Sequence, residues 1–150
     1  MSSPEPFSRR PIVLAWTAQM VQTVVLAGVI LLFVNELAGR AGTIGKEWER
    51  YAVWGLVLAA LPATLYVRWF KRLLNADDAA MAQRNGIPEP GIRNTLRRAL
   101  TLGGALCDLP MALGLLILIL GGDRRYFIGG TFITLAVRLS YRPFTRTRKP

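Results

Sequence analysis

Four stretches of this chain are almost unbroken in apolar residues, and the polar residues crowd between them. They cover residues 11–34 (PIVLAWTAQMVQTVVLAGVILLFV), 51–70 (YAVWGLVLAALPATLYVRWF), 99–120 (ALTLGGALCDLPMALGLLILIL) and 126–144 (YFIGGTFITLAVRLSYRPF). A membrane-spanning helix needs about 20 mainly apolar residues. The pattern therefore predicts an all-α integral membrane four-helix bundle, a single membrane domain over residues 1–150. The fourth stretch carries the weakest signal, because Arg138 interrupts it. Aromatic residues gather at the ends of the stretches, as at Tyr51 and Trp54, Trp69 and Phe70, and Tyr126 and Phe127. Such rings favour the membrane interface.

The polar loop of residues 71–98 divides in two. NADDAAMAQRNG predicts a short helix with Asn75 as N-cap, Asp77 and Asp78 in its first turn and Gly86 at its end. First-turn acids answer the helix dipole, which explains the two aspartates better than a metal does. IPEPG then breaks the chain, and IRNTLRRAL restarts it as a basic lead into the third stretch. Arg93, Arg97 and Arg98 are candidate anchors to anionic lipid headgroups; juxtamembrane anchoring of the ordinary kind explains them as well. PFTRTRKP reads as a short basic tail.

Charge fixes an expected orientation. Of the 19 Lys and Arg residues, fourteen fall in the N-terminal tail, in the end of the second stretch with the long loop (Arg68 to Arg98), and in the C-terminal region from Arg138 on, and five in the other two connections. The positive-inside rule then puts both termini and the long loop in the cytoplasm, and hence the chain in an inner (cytoplasmic) membrane. An even number of spans requires both termini on one side, which agrees. SRRPIVL has the form of a twin-arginine signal, but the apolar run after it is long and no A-x-A site follows, so the first span is expected to stay uncleaved. The net charge of +10 is thereby explained without nucleic acid.

Composition narrows the chemistry. The chain is 52% hydrophobic, with mean hydropathy +0.32. It has no histidine, hence neither the commonest general base nor the commonest metal ligand. One cysteine, Cys107, excludes an internal disulfide. No nucleophile elbow, phosphate loop or ligand cluster appears, so no enzyme activity, metal or cofactor is expected.

One residue breaks the pattern. Asp108 lies nine residues into the third stretch, two before Pro110. That is roughly 13 Å deep, near the middle of a hydrocarbon layer about 30 Å thick. A charge there costs at least ~2.5 kcal/mol, and an intramembrane acid is by default a functional candidate. Thr101, Gly104, Ala105 and Ala112 share its helix face at helical spacing, which predicts a small face packed against a neighbouring helix. Leu100 and Leu102 flank that face. Pro110 removes a donor from the backbone beside the acid. On the first stretch Ala15, Gln19, Thr23 and Ala27 form a stripe, with Gln22 beside it. Gln19 or Thr23 is the preferred hydrogen-bond partner of Asp108. Arg138 is the charged alternative, less favoured because it lies near the end of its span. Pro62 lies at similar depth and is expected to flank the same polar spot. The acid either handles a proton or ion, with Pro110, Gln19 and Thr23 beside it, or secures helix packing without titrating.

IPEPGIRNTLRRALTLGGALCDLPMALGLLILIL resembles the polar loop and acid-bearing second helix of the c subunit (proteolipid) of rotary ATP synthases. Asp108, Pro110, Gly114 and Leu115 stand where that family has its ion-binding acid, a following Pro and a Gly-Leu pair. The resemblance implies that Asp108 carries a proton. It covers about 35 of 150 residues. The family's first helix has a glycine ladder, whereas residues 51–70 hold one glycine, five aromatics and a proline, so a ring rotor is not implied. Two function classes follow. One is a non-catalytic subunit or assembly component, with a membrane-protein partner or a second copy. The other is a proton- or ion-handling protein built on Asp108.

Overall fold

The computed structural model describes residues 10–38, 45–83 and 90–143. These residues are helical throughout apart from short turns: α1 Arg10–Leu32, α2 Val34–Leu37, α3 Lys46–Gln83, α4 Pro90–Cys107, α5 Leu109–Ile119 and α6 Arg124–Ser140. Three helical stretches are long and apolar enough to cross a membrane: Ile12–Leu32, Arg50–Ala80 and Asn94–Ile119, the last running through α4 and α5. Large apolar side chains stay exposed along them, among them Leu14, Val25, Leu58, Leu65, Leu116 and, on α6, Phe132. An apolar surface of that extent fits a membrane protein. α6, at 17 residues, is the shortest of the main helices after α5.

The polar loop does not begin a new helix at Asn75. α3 continues without interruption from Lys46 to Gln83. Phe70, Leu74 and Asp77 are buried at helical spacing along that extension. Each added residue gains a backbone hydrogen bond at no nucleation cost, and no Gly or Pro intervenes before Gly86, so the capping tendency of Asn75 is overridden. Asp77 is therefore a mid-helix residue and not a first-turn acid. It is 1% exposed, and its carboxylate has no hydrogen-bond partner among the described residues. The expected helix end at Gly86, the side chain of Arg93 and the basic tail beyond Pro143 lie outside the described residues. At the other side of the loop the basic lead and the third stretch form one helix, as the pattern predicts.

α5 and α6 form a tight hairpin. Gly121 takes φ 82°, a left-handed conformation that glycine adopts without steric cost. Asp123 caps α6, its carboxylate accepting from the N–H of Arg125 at 2.8 Å. Above the turn the two backbones nearly touch. A Cβ on Gly114 would lie 2.8 Å from the Tyr126 carbonyl oxygen and the Phe127 Cα, and one on Gly130 would collide with the Pro110 carbonyl oxygen. Such close approach is how helices gain contact in lipid, where burial from water drives nothing.

The core falls into two apolar clusters. One gathers Phe70, Leu74, Leu96, Leu100, Cys107, Val137 and Tyr141; the other gathers Ala27, Ile30, Met111, Leu118 and Phe127. In each of α1 and the α4–α5 run, polar residues separate the two: Gln19 and Thr23 on α1, and Asp108 between Cys107 and Met111.

Candidate functional site

Asp108 occupies a single-residue break between α4 and α5. Its N–H reaches the carbonyl of Ala105 at 3.2 Å, a tightened turn, and its own carbonyl accepts from Ala112 at 2.9 Å. Pro110 sits in the first turn of α5, where its missing N–H is tolerated. It is buried, whereas Pro62 is exposed on α3, so the two prolines do not flank one polar spot.

The partner of Asp108 is Arg138. One guanidinium nitrogen, Nη2, donates to both carboxylate oxygens at 2.8 Å and to the Gly104 carbonyl at 3.3 Å. The other, Nη1, donates to the Gln19 carbonyl and to the Thr23 hydroxyl. Thr23 in turn donates to the Gln19 carbonyl at 3.0 Å. One arginine on α6 thus ties α1 to the α4–α5 run. Trp16 reinforces the tie, its indole N–H donating to the Arg138 carbonyl at 3.1 Å. The Gln19 amide packs against Gly104, where a Cβ would lie 2.8 Å from Oε1.

The expected direct contact from Gln19 or Thr23 to Asp108 is therefore replaced by one through Arg138. Counting residues along the helix placed Arg138 too close to the span's end. Side chains on a helix tilt toward its N-terminus. α6 enters from the Asp123 end, so the Arg138 side chain climbs along the preceding turn toward Asp108. The sequence held a signal for this pairing, since Arg138 interrupts the fourth apolar stretch and Asp108 is the one acid within the four stretches.

The two partners differ in burial: the Arg138 side chain is 7% exposed, that of Asp108 41%. Asp108 lies at the edge of the packed stripe. That stripe runs through Leu96, Ala99, Leu100, Gly103, Gly104, Cys107, Pro110, Met111 and Gly114, whereas Thr101, Ala105 and Ala112 are exposed. The expected packing face is thus rotated: Gly104 alone of the four packs inside the molecule, and Leu100, expected to flank it, is buried. The buried side is pressed close by α6 and the turn after it: a Cβ on Gly103 would collide with the Tyr141 ring, and one on Gly114 would lie 2.8 Å from the Phe127 Cα. Tyr141, near the end of the fourth stretch, is 2% exposed and donates its hydroxyl to the Ala63 carbonyl at 2.7 Å. Arg97 and Arg98 are exposed midway along α4. Among the described residues no group of three or more His, Cys, Asp or Glu is placed to hold a metal ion.

Fold and site define an all-helical chain, fitted to a membrane, with an ion pair inside its apolar segments. No protein-family model, curated protein or solved structure matches it.

Proposed function

We propose that this chain is a non-catalytic structural component of a membrane assembly, crossing the inner membrane four times with both termini in the cytoplasm. The observation that supports a structural role is the Asp108–Arg138 pair. The acid is engaged by an arginine whose remaining bonds grip two other helices. A paired, hydrogen-bonded charge in hydrocarbon holds register, and releasing it leaves a bare guanidinium. The fourth span is α6 with the turn after it. The exposed Arg68, Lys71, Arg72, Arg97, Arg98 and Arg142 support the orientation and contact with anionic headgroups.

One observation favours a second reading, proton or ion handling in the manner the proteolipid resemblance implies. The Asp108 side chain is 41% exposed beside a break in the helix. Purified protein in sealed vesicles, given a membrane potential and a pH-sensitive dye, separates the two. The structural reading expects no proton flux, no labelling of Asp108 by a hydrophobic carbodiimide, and a membrane protein partner that co-purifies from native membranes. Carbodiimide-sensitive flux lost in Asp108→Asn, with the protein still folded, overturns it in favour of the second.

A further inference from the structure

Two polar side chains remain turned outward at the depth where lipid tolerates them least. One is Asp108, whose carboxylate engages Arg138 on its inner side and is 41% exposed on its outer side. The other is Gln22 on α1, which is exposed and makes no side-chain hydrogen bond among the described residues. Their depths match. Arg138 bonds Gln19, Thr23 and Asp108 at once, so residues 19–23 of α1 lie level with Asp108. Gln22 falls inside that window.

They also share one side of the molecule. The Gln19 amide meets Gly104, which fixes the side of α1 that faces α4. Ala15, Gln22 and Leu26 continue that side outward at helical spacing, and all three are exposed. On the other wall of the seam stand Asp108 and the exposed Thr101, Ala105 and Ala112. The seam therefore presents an amide donor on one wall and a carboxylate acceptor on the other, with short side chains between. An exposed amide in hydrocarbon has no water to bond, and an acyl chain offers it nothing.

We infer that this seam is the contact between two copies of the chain. They pack side by side about a two-fold axis along the membrane normal, and the Gln22 amide of each donates to a remaining lone pair of the Asp108 carboxylate in the other. A two-fold contact demands a self-complementary surface, and donor and acceptor at equal depth on one face meet that demand. The pairing deepens the assembly reading above and rests on it, since it supplies the partner's identity.

Cross-linking in native membranes tests it. In a Cys107→Ala background, Ala105→Cys places a thiol in the seam and Phe132→Cys places one on the exposed α6 surface away from it. Mild oxidation should give a covalent dimer from Ala105→Cys and none from Phe132→Cys. Adding Gln22→Leu should lower the dimer yield about five-fold, as expected when two modest interhelical hydrogen bonds are lost. Absence of the Ala105→Cys dimer overturns self-pairing, as does a yield indifferent to Gln22→Leu or capture of a different protein at that position. The thermal stability of the Gln22→Leu protein should stay at the level of the unsubstituted chain, because Gln22 takes no part in the Arg138 node. A dimer that fails to form while a membrane partner still co-purifies rejects this contact and leaves the assembly reading in place.

Discussion

The α5–α6 hairpin and the attachment of α1 hold together by opposite means. In the hairpin, sequence neighbours meet backbone to backbone at Gly114 and Gly130, and shape alone provides the fit. α1 is the least buried of the three stretches apolar enough to cross a membrane, 17% against 44% for Asn94–Ile119. What fastens it to α6 is a set of polar bonds more than 110 residues apart in sequence, from Arg138 to Gln19 and Thr23 and from Trp16 to Arg138. In lipid both devices are available because apolar burial discriminates little between a helix and a tail. Shape serves where the chain already brings helices together; directed polar bonds serve where it does not.

Removing one charge from the node should have the largest effect. Asp108→Leu leaves the Arg138 guanidinium buried without its counter-charge, with an expected loss of about 3–5 kcal/mol. The double variant Asp108→Leu/Arg138→Met removes both charges and should recover most of that loss, measured by reversible unfolding in mixed micelles. A double variant no more stable than Asp108→Leu alone would mean that the pair stabilises more than it costs to desolvate. Next comes the hairpin. Gly130→Val drives a side chain into the Pro110 carbonyl and should cost about 1–3 kcal/mol, without changing protease access to α1. Loss of α1 protection in that variant would show the two regions to be one cooperative unit.

The smallest effects set a bonded hydroxyl against an unbonded one. Thr23→Val removes an acceptor from Arg138 and should destabilise by about 0.6 kcal/mol, near the average for interhelical polar contacts. Thr134 is fully buried, and its hydroxyl has no partner among the described residues. Thr134→Val should therefore be neutral or stabilising, since a buried polar group without a partner is a cost. Equal losses at both positions would indicate that Thr134 too has a partner.

Much of this was legible in the residues. Three of the apolar runs foretold the helices long and apolar enough to cross a membrane, and Asp108 within an apolar run and the stripe through Gln19 and Thr23 marked the ion-pair site. Arg138 was visible as the charged alternative. Its pairing is not legible from residue counting, which gives the position of a backbone atom and not of a guanidinium several bonds away. Which side of α4 packs within the chain is hidden for a related reason. Periodicity says which residues share a side of α4, but only the neighbours say which side they need.

The sequence by itself determined an all-helical chain with long apolar stretches, because unbroken apolar runs of that length leave the backbone no other way to bond itself. It also determined that an acid stands in the middle of one of those stretches. Tertiary structure decided that this acid pairs with Arg138, that α3 runs on past Asn75, and that Thr101, Ala105 and Ala112 face outward. These depend on the antiparallel course of α6 and the bulk of Phe70, Phe127 and Tyr141, and so on distances between helices that no local pattern encodes.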